Sequence, residues 1–196
     1  IIIQNNKFNF LNQFEINQRK YKSSLLKLGN HTVLAIIALI GIGSATRVME
    51  AGLACPDWPL CYGTFLPLTH MNLRVFLEWF HRLDAFLVGI LIVTQFALSF
   101  LWRKFLPNWL PKIYSFLVFL IILQGTLGAL TVINMLSSLS VMSHLLIAFI
   151  ILITAIYVNQ ALINKAIDKN ILWWKYLLSI PLSLTLVQSV IGVRLS

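Results

Sequence analysis

The sequence predicts an all-α membrane protein: a four-helix transmembrane bundle plus the first helix of a second, repeated bundle. Three observations carry this expectation. Of the 196 residues 59% are apolar, with a mean hydropathy of +0.84, far outside soluble globular composition. The apolar residues fall into five runs, each near the ~20 residues a helix needs to cross the hydrocarbon core. A polar, glycine-containing pattern in the first run returns in the third and fifth, which reads as a weak internal repeat.

Residues 1–27 are polar and basic, with no apolar core long enough for a signal peptide, and read as a cytoplasmic tail. The spans are expected at Leu28 to Val48, Phe76 to Trp102, Ile113 to Leu136, Val141 to Ile163 and Leu172 to Leu195. Residues 28–163 then form the first bundle, and residues 164–196 a connection with the first helix of a truncated second one. The net charge of +9 does not indicate nucleic acid, because the basic residues lie between the apolar runs, where they orient the chain. Lys7, Arg19, Lys20, Lys22 and Lys27 precede the first run, Arg103, Lys104 and Lys112 separate the second from the third, and Lys165, Lys169 and Lys175 flank the start of the fifth. Those three regions are expected inside, so the N-terminus is cytoplasmic and the loop of residues 49–74 is outside.

That loop holds both cysteines, in Ala54-Cys55-Pro56-Asp57-Trp58-Pro59-Leu60-Cys61-Tyr62-Gly63. A thiol pair outside the cytoplasm is normally oxidised, and two prolines favour a tight loop, so a disulfide is expected, the alternative being two unpaired small residues. Two cysteines with only His70 nearby fall short of a closed zinc shell.

The second run opens on Leu77-Glu78-Trp79-Phe80-His81-Arg82-Leu83-Asp84. Glu78, His81 and Arg82 stand at i, i+3 and i+4 and share a helix face, which Arg74 and Asp84 extend. Ionisable groups at the mouth of a membrane helix are costly and face a bundle interior, a partner charge or a bound group. His144 opens the fourth run as His81 opens the second, and both runs are expected to travel from outside to inside, so the imidazoles lie at similar depth. Two histidines facing each other across a bundle can be the axial ligands of a haem. The competing reading is of two hydrogen-bonded packing residues. Ala85 and Gly89 below His81, with Ala148 and Ala155 below His144, leave room for a flat macrocycle, although small residues also mark ordinary close packing of membrane helices.

The third run carries Gln124-Gly125-Thr126-Leu127-Gly128-Ala129-Leu130-Thr131-Val132, the fifth Gln188-Ser189-Val190-Ile191-Gly192-Val193-Arg194, and the first ends Gly43-Ser44-Ala45-Thr46-Arg47-Val48. If the first and fifth runs are equivalent, the repeat offset is roughly 150 residues. Residue 1 is Ile and Ser196 closes an apolar run, so both ends read as cut, and doubling the repeat implies a complete protein of about 300 residues with a second histidine pair.

Gly43-Ser44-Ala45-Thr46-Arg47, the loop from Glu50 to Gly63 and Glu78-Trp79-Phe80-His81-Arg82 together resemble the haem A synthase family, from about the first span to the end of the chain. The resemblance implies two tandem four-helix bundles and oxidation of a haem O methyl to the formyl of haem A for cytochrome oxidase. It implies His81 and His144 as ligands of the haem iron, Glu78 as the catalytic acid of the Glu-x-x-His-Arg motif, and Cys55 and Cys61 as the outer-loop pair. It implies haem O as substrate here and haem b in the second half, with the haem O-forming farnesyltransferase and cytochrome oxidase assembly proteins as partners, in a bacterial plasma membrane or an organellar inner membrane. Arg47 and Arg82 are candidates to pair with haem propionates, since guanidinium matches carboxylate geometry, or to anchor helix ends at the headgroups. The rival function is a b-type haem electron carrier with no chemistry on the haem, which accounts for the histidines and leaves Glu78 and the cysteine loop idle. A third is a scaffold in which polar residues only join helices.

Overall fold

No glycine or proline interrupts the chain before Gly29, and helix α1 runs unbroken over Ile2–Val48 in the computed structural model, which describes residues 2–163 and side chains from Leu11 onward. The expected fifth span, with Gln188, Gly192 and Arg194, lies outside the described residues. Helix α1 has 47 residues, about 70 Å at 1.5 Å each, more than twice the ~30 Å hydrocarbon thickness. The polar segment before Leu28 is therefore a continuation of the first span. It also packs: Leu25 is fully buried, Tyr21 stacks on Trp102 with ring centroids 4.6 Å apart, and Phe14 meets Phe105.

Helices α2 (Leu73–Leu101), α3 (Leu110–Ile133) and α4 (Ser138–Ile163) follow, and all four helices are long and apolar enough to cross a membrane. α2 and α3 begin about one turn before the expected spans because local chemistry starts them. The Asn72 side-chain oxygen accepts from the amides of Arg74 and Val75, and Pro111 stands in the first turn of α3. α3 stops at Ile133, three residues short of the expected Leu136, because Met135 and Leu136 are left-handed (φ 50° and 57°) and cannot continue a helix.

Each helix packs on two others, α1 on α2 and α4, α3 on α2 and α4, which closes a four-helix bundle. Contacts between α1 and α2 fix an antiparallel register: Gly43 faces His81 at one end, and Thr32 faces Gln95 further along. The core is apolar around Ile36, Val88, Ile92, Leu117, Ile151 and Val158. It is crossed by polar pairs, with Gln95 Nε2 donating to Thr32 Oγ1 (2.6 Å) and Asn159 Nδ2 to Asn30 Oδ1 (3.1 Å). Polar side chains away from water need such partners, and each bond between membrane helices contributes about 0.6 kcal/mol. Gly29 makes room for the second pair, since a Cβ there would collide with the Asn159 side chain.

Candidate haem-ligand site

At the bundle end marked by the α1–α2 loop, two constellations meet. The first joins the loop to α2. Cys55 and Cys61 form a disulfide with Cα atoms 4.8 Å apart, and both residues are buried with Val75. Inside the loop, Tyr62 and Gly63 are both left-handed (φ 54° and 69°), which turns two successive amides toward Asp57. The Gly63 N–H donates to Asp57 Oδ2 at 2.7 Å and the Tyr62 N–H to Oδ1 at 2.6 Å. These amides, that of Gly63 foremost, hold the Asp57 carboxyl below the usual carboxylate range, with the Arg82 charge adding to the effect.

Glu78 and Arg82, four residues apart on α2, hold this loop from beneath. Glu78 is 3% exposed; its Oε2 accepts from the Cys55 amide at 2.7 Å and its Oε1 from Arg82 Nη2. The Arg82 guanidinium also donates to the carbonyls of Asp57 and Leu60 (both 2.6 Å) and Cys55 (3.3 Å). The arginine fork thus neutralises the buried carboxylate and satisfies three loop carbonyls at once. The remaining charges of the expected strip do not join it. Arg74 pairs at 3.9 Å with exposed Glu50, and Asp84 is half-buried with no ion-pair partner among the described residues; Arg47, the separate candidate for a propionate, is exposed at the end of α1.

The second constellation is the imidazole pair. His81 and His144 stand about two turns into α2 and α4, which run the same way, and lie within electrostatic reach of each other. Each ring is seated on a glycine of the preceding helix. A Cβ on Gly43 of α1 would come within 2.9 Å of His81 Cε1, and one on Gly128 of α3 within 3.2 Å of His144 Cε1. The residues expected to clear space below each histidine do less: Ala85 is exposed, Gly89 faces Ile121, and Ala155 belongs to the apolar core. Gly43 and Gly128 seat the two rings, a role the sequence analysis did not assign to either glycine. Their signal was that each lies five residues before its helix ends, just as each histidine lies soon after its helix begins.

Both Nδ1 atoms are buried without a hydrogen-bond partner among the described residues, while His144 Nε2 accepts from Gln124 Nε2 at 3.3 Å. The Cε1–Nδ1 edge of His144 lies against α3, which leaves Nε2 as the nitrogen able to meet a further partner. Imidazoles with glycine clearance suit the axial positions of a haem.

Residues 28–196 match the family described as Cytochrome oxidase assembly protein, COX15-CtaA. The chain is 37% identical over 134 residues to a Heme A synthase of Shewanella oneidensis, covering 60% of this chain and 39% of that one. It is 32% identical over 137 residues to a Heme A synthase of Bacillus pumilus, covering 66% and 43%. A Protoheme IX farnesyltransferase of Haloarcula marismortui is 37% identical over 64 residues, 33% of this chain and 13% of that one. The chain thus spans less than half the length of these relatives. No solved structure matches it.

Proposed function

The chain belongs to the COX15-CtaA family of cytochrome oxidase assembly proteins, and from that membership we propose that its bundle takes haem O between α2 and α4 as the substrate of haem A synthesis. In this reading His81 and His144 would hold the haem iron, and the complete protein would oxidise one methyl of the haem to a formyl. The supporting observation is the matched pair of half-buried imidazoles, each resting on a glycine of the preceding helix.

A bound haem supplies an iron and a conjugated ring through which electrons can leave the methyl carbon. The chain's own residues hold the ring and manage charge. Glu78 precedes His81 by three residues, one turn nearer the loop, where it would accept a proton or stabilise developing positive charge. Its link to the Cys55 amide fixes the carboxylate, and Arg82 balances it. Arg47, four residues after Gly43 and so on the same face of α1, is suited to a propionate; Arg82 reaches one only by releasing loop carbonyls. The lysine and arginine distribution puts the Cys55–Cys61 loop outside and the N-terminus in the cytoplasm. Haem b in the remainder of the protein, and association with the farnesyltransferase that forms haem O, complete the reading.

The test is pigment extraction from the purified full-length protein and its variants. Haem O with hydroxylated and formyl haems is expected, and His81→Ala or His144→Ala should each lower haem occupancy of this bundle. Glu78→Gln should retain haem and lose formyl product. Haem b alone would assign an electron carrier instead, and histidine variants with an unchanged low-spin spectrum would remove both residues as ligands.

A further inference from the structure

The two imidazoles rest on glycines in the same way and differ in their side-chain hydrogen bonding. Aligning Gly43 with Gly128 aligns Thr46 with Thr131, and both hydroxyls donate to carbonyls of their own helices, those of Ile42 and Gly128. The same alignment sets Leu39 opposite Gln124, four residues before each glycine. Gln124 reaches His144; Leu39 can offer His81 no side-chain hydrogen bond.

Gln124 engages the ring nitrogen that points away from α3. A Cβ on Gly128 would meet Cε1 of His144 at 3.2 Å and Nδ1 at 3.7 Å, so that edge of the ring lies against α3. Nε2 is then the nitrogen left to face the bundle interior, and it is the one capped by the Gln124 amide. The Gln124 Oε1 is buried and has no partner among the described residues, so this amide has no competing engagement at its other end. For His144 to bind iron through Nε2 the Gln124 contact must break, and when His144 leaves the iron the contact re-forms. Among the described residues no side chain hydrogen-bonds His81 in this way.

We infer that Gln124 is a positioning residue that makes His144 the exchangeable axial ligand, by holding its Nε2 when the imidazole is off the iron, while His81 is the permanent one. The inference rests on the haem-ligation reading above. It gives the site a way to open one coordination position without losing the ring, which two equally held imidazoles do not.

The test is carbon monoxide binding to the dithionite-reduced, haem-loaded full-length protein, followed by rapid mixing, since the gas must take a position that an imidazole vacates. Gln124→Leu removes the waiting partner and should slow the reaction roughly fivefold, the factor one neutral hydrogen bond sustains, with the low-spin spectrum retained. Leu39→Gln supplies His81 with the same partner and should raise the rate by a similar factor. An unchanged or faster rate in Gln124→Leu would overturn the inference; should that variant fail to accumulate, an unchanged rate in Leu39→Gln would overturn it equally. His81→Ala and His144→Ala separate the two levels: an unaltered low-spin spectrum in both defeats the ligation reading itself, whereas altered spectra beside an unmoved Gln124→Leu rate defeat only the role of Gln124.

Discussion

Replacing Arg82 by Met keeps the length and apolar stem of the side chain and removes its fork. The consequence can be sized from the partners it would strand. The Glu78 carboxylate side chain is 4% exposed and the Arg82 side chain 16%, so the pair is largely desolvated. Breaking a buried pair by deleting one partner costs about 3–5 kcal/mol, because the remaining charge stays buried. The Cys55, Asp57 and Leu60 carbonyls also lose their donor, although water at the loop surface can replace part of that. A loss of about 4 kcal/mol is expected for Arg82→Met, read as thermal unfolding in nanodiscs alongside proteolytic clipping of the 49–72 loop. Glu78→Gln removes the stranded charge, so the double variant should recover about 2 kcal/mol relative to the sum of the singles. Arg74→Met is the control: its ion pair with Glu50 is 59% and 83% exposed and contributes at most about 1 kcal/mol. If Arg82→Met destabilises no more than Arg74→Met, or if the double variant is additive, the view of Glu78 and Arg82 as one buried unit is wrong.

The glycine seats make a separate prediction. Gly43→Val or Gly128→Val should displace the facing imidazole and lower haem occupancy severalfold, whereas Gly41→Val, which meets open space, should leave it unchanged; equal effects would refute the seats. A third prediction concerns pH. The Asp57 carboxyl is depressed by the Gly63 and Tyr62 amides, so its stabilisation of the loop is full above the usual carboxylate range and is lost as pH falls through the folded-state value. Loop protection from protease should be level from neutrality to about pH 5 and fade only below roughly pH 4. Asp57→Asn should abolish that acid transition, and a transition unchanged in the variant would assign it to another group.

Hydropathy made the four spans legible because long apolar runs have few other uses, and the end of α1 at Val48 falls where its run stops. The remaining boundaries were set by chemistry that hydropathy does not register: a capping asparagine at 72, a proline at 111 and left-handed residues at 135 and 136. The first 27 residues were legible as polar but not as helix, since their helical state depends on the absence of breakers and on packing by Tyr21 and Leu25. Within the site, i, i+3, i+4 spacing brought Glu78, His81 and Arg82 to one region. It could not say that the pair Glu78–Arg82 turns up to the loop while His81 turns to α1, because a face some 100° wide holds both directions. The disulfide was legible from compartment and loop length, but the grip of Arg82 on three loop carbonyls was not, as it joins residues more than twenty positions apart.

The bundle is built from two like helix pairs, each presenting an imidazole from its second helix to a glycine of its first. What differs between the pairs is their connection. α3 and α4 are joined by the few residues from Asn134 to Ser137, while α1 and α2 are joined by the disulfide loop and its buried Glu78–Arg82 support. That loop extends toward the other half as well: a Cβ on Gly52 would lie 3.1 Å from the side chain of Leu136, in the short turn. Charge is therefore concentrated beside His81, under a covalently closed roof, and His144 has only a neutral amide for a neighbour. Two identical half-sites would hold a flat ring symmetrically and treat its edges alike. In the proposed reading, an acid on one side and a ligand with somewhere else to go on the other would give the site a direction, as chemistry confined to one methyl of a nearly symmetric macrocycle requires.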